Sequence, residues 1–265
     1  MSLDTTRSGN LHDGLLTAKV AFVTGAGSGI GRAGAMAMAR AGARVIVSDV
    51  DGTRAARVAT DLTDEGFCAT SMALDVLDDE ALTTALVDSA REFGRLDVLH
   101  SHAGYQAEGN LEQVGIDDMD MSWRLNVRAH FIAARAAVGP MKAQGGGSII
   151  ITSSNSGVQF DREMIAYATT KHAVVAMTRQ MAADYAGHNI RFNALCPGFI
   201  DTPFNAGFEA QMGGRDNLEG YITGNIPMGR WGTACEIGDS VLFLASDMSS
   251  FMTGHALVID GGESI

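Results

Sequence analysis

Cysteine, proline and lysine are scarce in this 265-residue chain, and each scarcity excludes something. Cys68, Cys196 and Cys235 are odd in number and far apart. That excludes a disulfide framework and predicts reduced thiols in a reducing, cytoplasmic compartment. The four prolines form no linker, and neither a composition shift nor an internal repeat divides the chain. Basic residues number 19 against 31 acidic ones, a formal charge of −12. A basic face for nucleic acid or an anionic membrane is therefore missing. No apolar run approaches the ~18 residues of a membrane span. Residues 1–13 have no apolar stretch and Arg7 as their basic side chain, which excludes a secretory signal. Residues 1–14 are expected to form a flexible tail and residues 15–265 one domain. Glycine, by contrast, is abundant at 32 residues, in a chain that is 46% hydrophobic and long enough to bury a sizeable core.

Short β-branched runs alternate with longer alanine-rich segments. The runs cover residues 19–24, 43–49, 68–74, 96–100, 148–153, 190–195 and 256–259. They are apolar on both sides of the alternation, as strands buried on both faces must be. Helical stretches are expected at 31–41, 53–65, 79–93, 117–143, 166–186 and 236–245. This alternation predicts an α/β fold: one doubly wound, Rossmann-like domain with a mainly parallel seven-stranded sheet and helices on both faces. Residues 199–231 are glycine-rich and fit the alternation least well, so they are read as a mobile lid over a substrate.

The first strand runs into Thr24-Gly25-Ala26-Gly27-Ser28-Gly29-Ile30-Gly31 and then directly into a helix. Glycines here let the backbone turn tightly and approach a pyrophosphate at the helix N-terminus. Asp49, followed by Val50, ends the second strand. An acid at that point accepts hydrogen bonds from both adenosine ribose hydroxyls and repels a 2′-phosphate, which favours NAD over NADP. Arg54, just downstream, is the residue that threatens this preference. Two other motifs are excluded. A P-loop needs Lys and then Ser or Thr after its last glycine, where this chain has Arg32-Ala33. A nucleophile elbow needs Gly-x-Ser-x-Gly, and Ala26 stands where its first glycine should be.

Tyr167 and Lys171, one of three lysines, are four apart in an expected helix and share a face. A nearby ammonium favours tyrosinate, lowering the phenol pKa from about 10 and equipping it to exchange a proton with an alcohol or carbonyl. Thirteen residues earlier, Ser154 follows a strand at the carboxyl edge where open α/β sheets bind ligands.

These residues resemble the main branch of the short-chain dehydrogenase/reductases, over about residues 16–262. The resemblance includes the glycine turn, Asp75-Val76, Asn126, Ser154, Tyr167 and Lys171. It continues through Pro197-Gly198-Phe199-Ile200-Asp201-Thr202 and Gly229-Arg230-Trp231-Gly232 to Asp260-Gly261-Gly262. It implies an NAD(H)-dependent oxidoreductase that interconverts a secondary alcohol and a ketone. Tyr167 would be the general acid/base, with Lys171 holding the nicotinamide ribose and lowering the Tyr167 pKa. Ser154, rather than Ser153, would bond the substrate oxygen. Asn126 would hold a water through a distortion of its helix. The implied cofactor residues are Gly25, Ser28, Gly29, Ile30, Gly31, Asp49, Val50, Asp75, Val76, His102, Ala103, Gly104, Tyr167, Lys171, Pro197, Gly198, Ile200 and Thr202. Of these, Asp75 and Val76 would border the adenine, and Ile200 and Thr202 would fix the carboxamide. The family's assembly implies a homotetramer packed through helices 117–143 and 166–186.

The chain departs from the family's Asn-Asn-Ala-Gly after the fourth strand, reading Ser101-His102-Ala103-Gly104 after His100. Either His102 bonds neighbouring backbone in the asparagine's place, or it adds a titrating group near the cofactor. His100 and His102 point the same way on a strand, but no third ligand stands at a useful spacing, so no metal is expected. The intact Ser154, Tyr167 and Lys171 speak against the alternative, a non-catalytic NAD(H)-sensing module. Residues 106–110, 155–165 and 199–231 should build the substrate pocket. Phe160, Asp161, Arg162 and Glu163 suit either a polar alcohol or carbonyl substrate (a sugar, polyol or hydroxy acid) or a solvated loop.

Overall fold

The structure, a computed structural model, describes residues 14–265. The tail expected at 1–14 lies, Gly14 apart, outside the described residues. Seven strands form one parallel sheet: β1 (Val20–Val23), β2 (Arg44–Asp49), β3 (Ala69–Ala73), β4 (Val98–Ser101), β5 (Gly147–Thr152), β6 (Ile190–Pro197) and β7 (Ala256–Ile259). Their order is β3-β2-β1-β4-β5-β6-β7. The winding reverses between β1 and β4, where the carboxyl ends of the strands open a crevice.

Alternate residues of each strand feed two cores, because side chains alternate across a pleated strand. Phe22, Ile46, Leu99, Ile149, Ile151 and Phe192 face one layer. Ala21, Val23, Val45, Val47, Val98 and Ile150 face the other. Phe22 and Phe192 are wholly buried, and burial of such a side chain contributes roughly 1.5–3 kcal/mol. The first layer carries α3 (Asp79–Glu92), α5 (Ala129–Gln144) and α6 (Ile165–Tyr185). The second carries α1 (Gly29–Arg40), α2 (Gly52–Asp64) and α9 (Ala234–Ala245). Small residues let α1 and α9 cross closely: a Cβ on Gly238 would stand 2.9 Å from the Ala33 carbonyl oxygen.

Two segments differ from the sequence reading. The helix expected over 117–143 is α4 (Ile116–Trp123), one π turn (Arg124–Arg128) and α5, run together. The π turn carries Asn126, so the distortion implied for that residue is present. Residues 199–231 contain α7 (Ala206–Gln211) and α8 (Arg215–Asn225). Leu218, Ile222 and Ile226 recur at a spacing of four and bury themselves against Phe199, Phe208 and Trp231. Glycines interleaved with this stripe hide its period in the sequence. Among the described residues, no helix is long and apolar enough to cross a membrane.

Candidate active site

One cleft of about 860 Å³ runs along the carboxyl ends of β1, β2, β4, β5 and β6. At its centre is the β1–α1 turn. Gly25 adopts φ +64°, and a Cβ there would meet the Ala103 backbone at 3.0 Å. A Cβ on Gly31 would stand 2.3 Å from the Gly25 carbonyl oxygen, so that position admits only glycine. The Thr24 hydroxyl accepts from the N–H groups of His102 (2.9 Å) and Ala103 (3.2 Å), tying the β4 loop to the turn. Ser28 caps α1 without a side-chain hydrogen bond, so nothing from its own side chain covers the helix N-terminus. A bare helix N-terminus beside a glycine cradle fits a pyrophosphate.

At the β2 end, the Asp49 carboxylate accepts from the Gly27 N–H (2.9 Å) and the Asp51 N–H (3.0 Å). These bonds hold it at the cleft wall, next to the exposed Val50. Arg54 has a different partner: its Nε donates to Asp51 Oδ2 at 2.7 Å, and Asp51 caps α2. The cation that threatens the ribose reading is thus paired outside the acid that would make it.

At the β5–α6 end, Tyr167 and Lys171 lie one turn apart on α6. Lys171 Nζ sits 5.4 Å from the Tyr167 ring centroid and donates to the Thr152 carbonyl at 3.0 Å. The Ser153 hydroxyl is spent on the Lys171 carbonyl at 2.9 Å, which leaves Ser154 as the serine beside the phenol. Burial holds both groups towards their neutral forms. It pushes the Tyr167 phenol up to about 12, against the pull of the Ser154 hydroxyl, and the Lys171 ammonium down to about 8. The lowered phenol pKa expected from Lys171 is therefore not a property of the protein alone: desolvation, with Asp161 and Cys196, outweighs the Ser154 hydrogen bond, and Lys171 exerts no resolved pull.

Asn126 sits behind this group and is fully buried. Its side chain accepts from the Tyr105 N–H (2.7 Å) and donates to the Tyr105 carbonyl (2.8 Å) and the Thr170 hydroxyl (3.0 Å). His102 does not bond backbone through its ring. Its Nδ1 meets the Thr152 hydroxyl at 3.1 Å, and His100 Nε2 meets the same hydroxyl at 2.9 Å. Burial, with Lys171 nearby, lowers the His102 pKa to about 3. The imidazole is neutral at working pH, which removes it as a titrating group near neutrality.

Every residue expected at the cofactor lines the cleft except Gly31, which lies packed beneath the turn, and of the expected catalytic group only Asn126 stands behind the wall. The end of the cleft expected to take the substrate is lined by Gln106, residues 160–164 and, from the segment expected to be a lid, Phe199, Phe208 and Tyr221. The sequence reading missed Thr152, a hub without a motif, and Glu263. Glu263 reaches the cleft because the chain turns back after β7, where the Asp260 carboxylate accepts from the N–H groups of Gly262 and Ser264. Burial, then Asp161 and Asp260, raise the Glu263 carboxyl to about 7. An acid raised on folding destabilises the native state once pH exceeds its unfolded value, fully so above the folded one. Discounted for the group's partial exposure, the strain is about 1–2 kcal/mol. Glu263→Gln should therefore melt about 2–5 °C higher than wild type at pH 8, with the gain gone near pH 4, in paired thermal melts.

Known proteins are similar to this chain over nearly its whole length. Residues 25–264 match the family model described as enoyl-(acyl carrier protein) reductase. The 2-keto-3-deoxy-L-fuconate dehydrogenase of Xanthomonas campestris is 40% identical, over 94% of this chain and 81% of its own. The trans-4-hydroxycyclohexanecarboxylate dehydrogenase of Sinomonas cyclohexanicum is 38% identical over 93% of each chain. A short-chain type dehydrogenase/reductase structure from Mycobacterium marinum is similar at TM-score 0.88 and 33% identity, covering 96% of this chain and 98% of its own. A gluconate 5-dehydrogenase structure from Burkholderia cenocepacia, in complex with NADP and tartrate, is similar at TM-score 0.89 and 32% identity, with 96% and 98% covered.

Proposed function

The chain belongs to the short-chain dehydrogenase/reductase family, and on that premise we propose that it is an NAD(H)-dependent dehydrogenase of secondary alcohols with Tyr167 as its general acid/base. The oxidoreductase class, the alcohol–ketone chemistry and a nicotinamide dinucleotide come with the family and its relatives. The observation that carries the finer reading is one cleft holding Tyr167, Lys171 and Ser154 at one end and an acid, Asp49, at the other.

The glycine turn and the α1 N-terminus would hold the pyrophosphate, and Asp49 the adenosine ribose. Asp75 and Val76 would border the adenine, and Ile200 and Thr202 would orient the carboxamide. The nicotinamide supplies the hydride acceptor and, when oxidised, a positive charge in the cleft. Tyr167 Oη, as tyrosinate, would take the proton of the substrate hydroxyl, while the Ser154 hydroxyl would hold the substrate oxygen. Lys171 anchors the nicotinamide ribose and, while protonated, favours tyrosinate. Asn126, on its π turn, fixes the Tyr105 backbone and would hold the water that passes the proton outward. The lid of residues 199–231 closes over the substrate.

The NADP in the Burkholderia relative concerns that protein; in this chain the acid at Asp49, with Arg54 bound to Asp51, supports NAD. Absorbance assays over secondary alcohols, polyols and hydroxy acids should show NAD⁺ reduced about 100-fold more efficiently than NADP⁺; a preference for NADP⁺ overturns the cofactor reading. Trp123, Phe131 and Ile165 lie exposed along α4, α5 and α6, which supports a homotetramer packed on those helices. Light scattering should give four times the mass of the chain, and a monomer would refute it. The lack of any disulfide among the three free cysteines supports a cytoplasmic protein.

A further inference from the structure

We propose that Glu263 sets substrate specificity, accepting a hydrogen bond from a hydroxyl of a neutral polyol and excluding a carboxylate at that point in the cleft. The inference rests on the dehydrogenase reading above and goes beyond it.

In the free protein Glu263 is joined to Ser154 by a chain of hydrogen bonds, which the Ser154 hydroxyl leaves when it turns to the substrate oxygen. Ser154 Oγ donates to Asn155 Oδ1 at 3.0 Å, and the Ser156 N–H donates to the same oxygen at 3.0 Å. A backbone N–H can only donate, so it settles which end of the amide is oxygen. Asn155 Nδ2 must then face Glu263, where it donates to Oε2 at 2.8 Å. The Tyr221 hydroxyl donates to Oε1 at 3.4 Å. Each carboxylate oxygen thus has one protein donor and a lone pair left for a ligand.

The charge around this carboxylate selects what that ligand is. Glu263 has no ion-pair partner among the described residues, and Asp161 and Asp260 add like charge. Lys171 and Arg162 are the basic side chains on the cleft wall. Lys171 is buried beside Tyr167, and Arg162 is exposed at the rim. Arg215 of the lid is taken up by Asp201, Glu209 and Glu219 and lies over the Trp231 ring. Above pH 7, where Glu263 is ionised, a substrate carboxylate beside it would meet the negative charge of Glu263, Asp161 and Asp260, and no cation acts on Glu263 to offset it. A hydroxyl would meet a free acceptor. Phe199 and Tyr221, edge to face at 5.9 Å, add an apolar wall suited to the C–H faces of a polyol. The relatives named for carboxylic acids therefore do not give this chain's substrate class. An acid kept in this setting costs the fold stability, which is the pattern of a group retained for binding.

The test compares wild type with Glu263→Gln, which keeps the size and both neighbours. Substrates are sorbitol, xylitol and myo-inositol, set against gluconate and xylonate as matched acids, with NAD⁺ turnover as one readout. Calorimetric binding of the same compounds to the protein–NADH complex is the other, and it does not need turnover. Wild type should favour the polyols at least tenfold. Glu263→Gln should lose at least tenfold of that preference, with NADH affinity unchanged. The proposal is overturned if wild type favours the acids, if the ratio does not move in the variant, or if no polyol binds. Preference for acids that disappears in Arg162→Ala would assign recognition to the rim arginine instead. Failure of the underlying dehydrogenase reading has a separate signature: turnover that survives Tyr167→Phe, or no binding of NADH.

Discussion

Tyr167→Phe should lower kcat by about 10²–10⁴-fold while leaving NADH affinity within about twofold. The phenylalanine ring keeps the packing of a buried residue whose neighbours are Met164, Ala168 and Phe208. Only the hydroxyl is lost, and with it the group proposed to take the substrate proton. The phenol starts at about 12, held there by burial, and Lys171 at about 8. Alcohol oxidation needs tyrosinate, so its rate should rise with pH from 6 to 8, and ketone reduction, which needs the phenol, should not follow it. Stopped-flow and steady-state assays with a substrate that wild type oxidises provide the check. A variant that binds NADH normally and works as well as wild type would leave the fold as a nucleotide-sensing module, or place the acid/base elsewhere.

Asp49→Asn should shift the ratio of kcat/KM for NAD⁺ over NADP⁺ by about 10²–10⁴-fold towards NADP⁺. Hydrogen bonds to a charged group contribute about 1.5–3 kcal/mol each, and two ribose hydroxyls are at stake. The same change removes the charge that would face a 2′-phosphate. Asp49 also accepts from two backbone N–H groups, Gly27 and Asp51. An amide supplies one acceptor oxygen where the carboxylate supplies two, so one of these donors loses its partner. A fall in melting temperature should accompany the switch, and nucleotide titrations separate the two effects. An unchanged ratio would mean that the acid serves the turn rather than the ribose.

Much of the site was legible because it is local. The glycine turn and the pair Tyr167–Lys171 are each contained in a few residues of one element, where spacing fixes geometry. Asp49 was legible because a parallel strand delivers its last residue to the same sheet edge as the turn. The helices α7 and α8 were not legible. Their stripe of Leu218, Ile222 and Ile226 finds its partner only when Phe199, Phe208 and Trp231 come together from other segments. The choice between the two roles for His102 also needed the fold, since desolvation depends on what surrounds the ring and not on its neighbours in the chain.

The sequence by itself determined the strand and helix order, the glycine turn and the placing of Tyr167 and Lys171 one turn apart, because hydrophobic period and backbone permissiveness act over short range. Tertiary structure alone decided that Arg54 pairs with Asp51 rather than Asp49, which state His102 and Tyr167 occupy, and that Glu263 joins the cleft wall. These depend on distances between segments far apart in the chain and on the water removed between them, and both exist only once the sheet has closed over its helices.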